Sequence, residues 1–334
     1  MTNTATRDFI ASNSRKTIGL MISFIISLTL MVYLIVLLIN LVSSKQSYHD
    51  QAFIFTLAGQ TAVYVLPKIF LIAIVWLLIS YFAGHNFIIS SVRAIELTKK
   101  NAPEIVTIVE NIAVKLGLPT PKVYSINEEA LNAFATGRDP KHSYIVLTKG
   151  LINKLEKAEL EGVIAHEIAH IRNRDTRLML IMIVCISFAT IAAELLLQFA
   201  LTAKTSNSKN KNVFVILMFV LAAVLYIYGY LIAPLIKLAV SRTREFQADA
   251  TAALITNPRG LIDALKKISI NSAVKNLSEP FSPICIANPL DKNKRNTFFS
   301  KISGLLATHP SIEDRIKALH TMSSSINNPV KIYR

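Results

Sequence analysis

Four apolar stretches govern what this chain can become: Ile18 to Val42, Ile69 to Phe82 with apolar flanks, Leu178 to Leu201, and Val213 to Leu231. About 20 residues at 1.5 Å rise per residue cross the hydrocarbon core of a bilayer, so each stretch is a candidate span. With 52% hydrophobic residues in 334, part of the chain is expected in lipid. The first stretch follows a basic lead, RDFIASNSRKT, but it is too long for a signal-peptide core and no A-x-A site follows, so a retained anchor is expected. Pro67 and Lys68 at the start of the second stretch, and AGHNF (Ala83 to Phe87) at its exit, leave its ends loosely defined.

The net charge of +15 would suggest a nucleic-acid partner in a soluble protein. Here the basic residues gather beside the apolar stretches instead: Arg15 and Lys16, Arg93, Lys99 and Lys100, Arg172, Arg174 and Arg177, Arg242 and Arg244. That is the positive-inside pattern and a contact with anionic lipid, so no nucleic acid is expected, and both termini and the polar segments are placed in the cytoplasm. One loop runs against this reading, because KTSNSKNKN (Lys204 to Asn212) carries three lysines and would lie outside. The last two apolar stretches therefore either cross or form a hairpin buried in protein or dipping into one leaflet. Cys185 lies in an apolar stretch and Cys285 in the basic C-terminal region, so neither a disulfide between them nor a cysteine-based zinc site is expected.

Between the membrane segments the pattern changes. Residues Ser90 to Leu118 have apolar positions at helical spacing on both sides of Pro103, with a stop at Gly117. PKVYSIN (Pro121 to Asn127), NAFATG (Asn132 to Gly137) and SYIVLT (Ser143 to Thr148) read as short strands, the last two joined by a turn-rich RDPKH into a hairpin. Helix resumes near Leu151 and runs through LEKAELEGVIAHEIAHIRN to Asn173. After Leu231 the chain is basic and mostly helical, with a loop-like stretch from Ser278 to Asn296. The fold class expected is mainly α, a multi-span membrane protein with a polar domain containing a small β-sheet. Its parts are a two-span hairpin (1–89), a first half of the polar domain (90–177), a second membrane hairpin (178–240) and a second half (241–334).

The chemistry sits in VIAHEIAHIRNRD. His166 and His170 are four apart, so on a helix both imidazoles project from one face within reach of one ion, with Glu167 beside the first: the spelling is H-E-x-x-H. Two neutral imidazoles and one carboxylate suit Zn²⁺ and leave a fourth position open to water. A carboxylate is therefore sought elsewhere. In SRTREFQADATAALI, Glu245 and Asp249 are also four apart on an expected helix. An even number of crossings between His170 and Glu245 returns the chain to the side it left, so the two halves of the site can meet in one compartment, close to the membrane surface.

HEIAH, EFQAD, the apolar hairpin between them, NAFATG and THPS together resemble the HtpX-type integral-membrane zinc metalloproteases, gluzincins related to the prenyl-protein CAAX endopeptidases. The resemblance covers nearly the whole chain and implies a zincin-like catalytic domain. It implies that His166, His170 and Glu245 bind one Zn²⁺ per chain and that Glu167 is the catalytic base. Asp249 would be the carboxylate that takes a hydrogen bond from a ligand histidine, His166 being the expected partner. Asn132, Ala133 and Phe134 resemble the edge strand that holds an extended substrate by its main chain. His309 would donate to the oxyanion, while Ser311 with Asp314 also reads as a plain helix start.

The resemblance further implies a hydrolase of the bacterial cytoplasmic (inner) membrane, active in stress response and protein quality control on misfolded or damaged membrane proteins or unfolded polypeptides. Two alternatives stay open: a CAAX-type processing protease, and a non-catalytic four-span membrane protein whose metal site is structural. Glu194, inside the third apolar stretch, is expected to be satisfied by Gln198 or Lys204. His49, His85, His142 and His320 match no ligand pattern and are expected on the surface or at caps. Oligomeric state and cleavage specificity are not legible.

Overall fold

The computed structural model describes residues 4–43, 51–203, 215–216, 218–229, 242–270, 285–286 and 310–327. The chain divides into two compact units. One comprises Met1–Ser14, Ala83–Ile183 and Ala233–Arg334, the other Arg15–Phe82 and Val184–Ile232.

The second unit is helical. Its helices belong to α1 (Thr4–Ser43), α2 (Gln51–Ser91), α6 (Asp175–Ala203) and α7 (Met218–Gly229). Two windows, Ala11–Met31 and Val63–Ser91, are long and apolar enough to cross a membrane, while the later apolar helices Ser187–Thr202 and Met218–Gly229 are shorter. Pro67 lies inside α2 without ending it. The helices are apolar on their outside: Ile18, Ile22, Ile26 and Leu30 along α1, and Val63, Leu71, Leu78 and Phe82 along α2, are all exposed. Such stripes are too large to face water and suit lipid. Inside, Phe188 packs edge-on against Phe24 at 5.8 Å and beside Trp76 at 5.2 Å, and Ser27 is hydrogen-bonded to Tyr228 at 2.5 Å. Glu194 lies on an exposed face of α6, and the loop 204–214 with its three lysines falls outside the described residues.

The first unit is built around a four-stranded mixed sheet, β1 (Ile95–Leu97), β2 (Lys122–Ile126), β3 (Ala133–Asp139) and β4 (His142–Thr148), in the order β1-β2-β4-β3. β3 and β4 form the expected antiparallel hairpin, with a register irregularity between Gly137 and Asp139. β2 runs parallel to β4. β1 departs from the helical reading of Ser90 to Ala102. Arg93 takes a left-handed conformation (φ 50°) that ends α2, and Ile95 to Leu97 then zip antiparallel onto β2. The side chain of Asn101 accepts from Thr98 N–H and donates to the Glu96 carbonyl, turning the chain into α3 (Pro103–Lys115) with Pro103 at its first turn. The expected stop follows at Gly117, where φ is +67°.

The expected helix from Leu151 to Asn173 is two helices, α4 (Lys149–Lys154) and α5 (Lys157–Arg172). Glu156 separates them because it is a better cap than helix residue: its side chain and that of Glu159 form a reciprocal capping box. Lys267 fixes that box at 2.7 Å from Glu159. α5 is buried on nearly every side, which is why its sequence shows little amphipathicity. It packs against β3, α3, α8 (Arg242–Ile255) and α9 (Pro258–Ile270). Leu160, Val163, Ile164 and Ile168 of α5 join Ile108 and Ile112 of α3, Ile145 and Leu147 of β4, and Leu261 and Leu265 of α9 in one core. α10 (Ile312–Asn327) closes this core through Leu319. The mainly helical architecture with a small mixed sheet and apolar membrane helices is the fold class expected from the sequence.

Two glycines set how closely α5 and α9 approach. A Cβ at Gly162 would lie 2.8 Å from Leu261 N, and one at Gly260 would lie 2.2 Å from the Ala158 carbonyl oxygen. Both obstacles are backbone, so they cannot swing aside. Gly260→Ala is expected to destabilise the first unit by about 1–3 kcal/mol despite alanine's better helix propensity. Thermal unfolding of the detergent-purified full chain checks this, and an unchanged or raised Tm would contradict the close packing.

Candidate active site

The site forms where α5, α8 and α10 meet. α5 presents His166 and His170 one turn apart, as the spacing predicts, and α8 brings Glu245 against them. Small residues make that approach possible, since Ala248, Ala252 and Ala253 are buried on α8. The two imidazole Nε2 atoms are 3.1 Å apart, and Glu245 lies 3.7 Å from each through its two carboxylate oxygens. Ligands about 2.0–2.2 Å from a tetrahedral ion stand roughly 3.4 Å apart, so the two nitrogens and the carboxylate are spaced to suit one such ion.

Each histidine's other nitrogen is committed. His166 Nδ1–H donates to Asp249 Oδ1 at 2.9 Å, and His170 Nδ1–H donates to Asp175 Oδ2 at 2.9 Å. Both Nε2 atoms therefore lie against the Glu245 carboxylate, and a cation that displaces the proton of His170 suits three such donors. His166, His170 and Glu245 form a cluster able to hold a metal ion, and the donor set fits zinc.

Charge around the site is arranged around Arg315, which the sequence reading missed. It is fully buried and forks Asp249, with Nε at 2.9 Å and Nη2 at 2.7 Å, while Nη1 donates to the Ile286 carbonyl at 2.9 Å. Burial by itself would raise the Asp249 carboxyl, but Arg315 and the His166 hydrogen bond outweigh it and bring the pKa down to about 2. Burial, then the Arg315 charge, lowers His166 to about 4, so its imidazole is neutral, the form that binds metals. His170 behaves oppositely. Burial works against its charge, but the Asp175 hydrogen bond and the nearby carboxylates of Glu245, Asp175 and Glu167 raise it to about 9.

Glu167, next to His166 on α5, is buried at the site, 2% exposed and within the electrostatic reach of His170, Glu245 and Arg315. Burial, helped by the charge of Glu245 and opposed by His170, raises its pKa to about 7, and the Ala135 backbone N–H donates to its carboxylate. A carboxyl poised near neutrality can both take and return a proton.

Asn132, Ala133 and Phe134 lie at the start of β3, an edge strand. Asn132 is buried, its side chain accepting from Ala133 N–H and its main chain exchanging hydrogen bonds with Thr148. Ala133 and Phe134 are buried beside it. On the outer side of this strand the Ala133 carbonyl accepts from Ile286 N–H at 2.9 Å. Cys285, next to Ile286, is a buried thiol whose pKa is raised by burial and by the charge of Glu167. Most of the loop-like stretch Ser278 to Asn296, and His309, fall outside the described residues. The cap three residues before Asp314 is present: Asp314 N–H donates to Ser311 Oγ at 3.0 Å.

Of the other histidines, His142 caps its turn through Asp139 and His320 is exposed, as expected. His85 is not on the surface; it is buried and stacked on Tyr144 at 4.6 Å, because α2 ends against the sheet there. His49 lies outside the described residues. The signals for the missed pair were faint: Asp175 follows His170 across a helix end, and Arg315 sits in an ordinary-looking helix.

A histidine pair on one buried helix, a glutamate beside the first histidine and a carboxylate from a second helix define a metalloprotease, here carried by a chain with apolar helices fit for a membrane. Comparison with known proteins agrees. A family model described as peptidase family M48 matches residues 99–323. The chain is similar to the protease HtpX homolog of Dictyoglomus thermophilum, 39% identical over 249 residues covering 73% of this chain and 78% of that protein. Its similarity to the Bacteroides fragilis homolog is 38% over 266 residues, 79% and 82% of the two chains. The Lactobacillus helveticus homolog is 35% identical over 319 residues, 94% and 98%. Among solved structures, the crystal structure of S. mikatae Ste24p is similar over 75% of this chain and 57% of that one, with 21% identity and a TM-score of 0.44. The chain belongs to peptidase family M48.

Proposed function

We propose that this membrane metalloprotease is a zinc endopeptidase that hydrolyses peptide bonds of misfolded or damaged membrane proteins and other unfolded polypeptides at the cytoplasmic surface of a bacterial inner membrane. One Zn²⁺ per chain would be held by His166, His170 and Glu245. The observation that carries this reading is the spacing of those three donors, 3.1, 3.7 and 3.7 Å, with both histidines anchored from behind by carboxylates.

When bound, zinc would lower the pKa of a coordinated water and polarise the scissile carbonyl. The chain supplies the rest. Glu167 takes the proton of the attacking water and returns it to the leaving amine, a role supported by its burial and its pKa near 7. Asp249 and Asp175 hold the ligand imidazoles with Nδ1 protonated, so that Nε2 faces the ion. The outer edge of β3 at Asn132, Ala133 and Phe134 binds substrate as an added strand, a reading supported by β3 lying at the edge of the sheet with its Ala133 carbonyl taking a main-chain hydrogen bond from Ile286 N–H. His309 donates to the oxyanion in this reading. The membrane part comprises four spans as two hairpins, 1–89 and 178–240, with the catalytic domain in the two segments 90–177 and 241–334 and both termini in the cytoplasm.

The experiment is cleavage by the detergent-purified protein of an unfolded polypeptide, of a folded soluble protein and of a farnesylated C-terminal peptide, before and after chelation and after zinc is returned. The expected result is cleavage of the unfolded polypeptide alone, lost on chelation and restored by about one equivalent of zinc. Cleavage confined to the farnesylated peptide would replace quality control with CAAX processing, and activity indifferent to chelation would overturn the metal mechanism.

A further inference from the structure

His166 and His170 are each steadied by a carboxylate, but the two carboxylates are held in different ways. Asp249 is gripped by Arg315, a residue within the stretch matched by the family model. Asp175 is gripped from outside that stretch. Asn13, in the first helix of the chain, uses the two hydrogens of one side-chain nitrogen: Nδ2 donates to Asp175 Oδ1 at 2.7 Å and to the Asn173 carbonyl at 2.8 Å. Asp175 Oδ2 in turn accepts from His170 Nδ1–H at 2.9 Å, so the carboxylate spends one oxygen on the helix α1 side chain and the other on the imidazole.

The local geometry serves this contact. α5 ends at Asn173, whose N–H caps back to Ala169, and Arg174 then adopts a left-handed conformation with φ 63°, unusual for a residue with a side chain. That reversal carries Asp175 back over the last turn of α5, where His170 lies. Asn13 bridges both sides of the reversal, its partners being residues 173 and 175. Asn13, Asn173 and Asp175 are all buried, at 4%, 8% and 3% exposure, so water competes weakly for these bonds. Arg244 of α8 stands 3.5 Å from the same Asp175 oxygen that Asn13 holds, so its charge and the Asn13 amide act on one carboxylate oxygen.

We infer that Asn13 is a positioning residue of the metal site, acting through Asp175 on the orientation of the His170 imidazole, so that the N-terminal helix is part of the catalytic centre and not only an anchor. Outer partners of ligand histidines typically change metal affinity about 10–100-fold when lost. Losing Asn13 removes one of the contacts that orient Asp175 and leaves those to His170 and Arg244, so the effect should fall at the lower end of that range.

This rests on His166, His170 and Glu245 being the zinc ligands. The test measures zinc affinity of the detergent-purified full chain by chelator competition, for wild type, Asn13→Ala, Asp175→Ala and the double variant. Expected are about a 10-fold weaker affinity for Asn13→Ala, a larger loss for Asp175→Ala, and no further loss when Asn13→Ala is added to Asp175→Ala, because the route through the carboxylate is already cut. A merely structural role would instead add the same loss in both backgrounds. Asn13→Ser keeps a donor in less space and should fall between wild type and alanine; it carries the same cycle should the alanine variant not accumulate. Wild-type zinc with Asn13→Ala and Asn13→Ser within twofold of it, or losses that add fully, overturns the coupling alone. A wild type without tight zinc overturns the ligand set and the coupling with it.

Discussion

Replacing Glu167 with glutamine should leave about one zinc per chain in place and lower cleavage of an unfolded polypeptide about 10²–10⁴-fold, the range that a positioned general acid–base contributes. The two halves of the expectation come from different atoms. Zinc retention follows because the three clustered donors belong to His166, His170 and Glu245, and Glu167 is not among them. Loss of cleavage follows because an amide of the same size keeps the packing of a side chain that is 2% exposed but cannot carry a proton. Glutamine also preserves an acceptor for the Ala135 N–H, so a collapse of the β3 edge is not an alternative cause. Zinc analysis and initial cleavage rates on the same preparation give the answer. Cleavage within tenfold of wild type would remove Glu167 as the base and with it the proposed route for the proton.

How far this site can be read from the sequence depends on the distance over which each signal acts. His166 and His170 are legible because helical spacing converts positions four apart into neighbouring side chains. Glu245 and Asp249 repeat that spacing on α8, but nothing local says that α8 docks on α5; only the incomplete ligand set and the family resemblance suggest it. The hairpin of β3 and β4 is legible from alternation and a turn, whereas β1 is not, because three residues are too short to show a period against a helical background. Arg315 and Asn13 lie beyond local reasoning altogether. Each works through a contact with a residue distant in sequence, Asp249 or Asp175, and each looks like an ordinary helical polar residue until the carboxylate it holds is seen. His85 failed for a related reason: a histidine matching no ligand motif was expected in water, yet the aromatic face of Tyr144 gives it a buried place.

The second large effect is expected from Glu245→Ala, which should reduce bound zinc from near one to less than about 0.1 per chain after dialysis. Loss of an outer partner of a ligand histidine typically weakens metal affinity about 10–100-fold, and Glu245 is proposed as a direct ligand, so its removal must cost more. Asp249→Asn offers the internal comparison, since it retains an acceptor for His166 Nδ1–H while giving up the charge that Arg315 pairs with, and its loss should lie within that 10–100-fold range. The order of the two variants is thus a sharper outcome than either value alone. Protons supply an independent check on the same donors. Because the Asp175 hydrogen bond and the charges of Glu245, Asp175 and Glu167 overcome burial and raise His170 to about 9, a proton must leave that imidazole before it can bind zinc. Wild-type zinc affinity should therefore climb with pH from the mildly acidic range up to about 9 and flatten above it, as competition for His170 disappears. In chelator competition, a Glu245→Ala protein that keeps stoichiometric zinc, or one that binds more tightly than Asp249→Asn, would take Glu245 out of the coordination sphere and with it the proposed three-ligand centre.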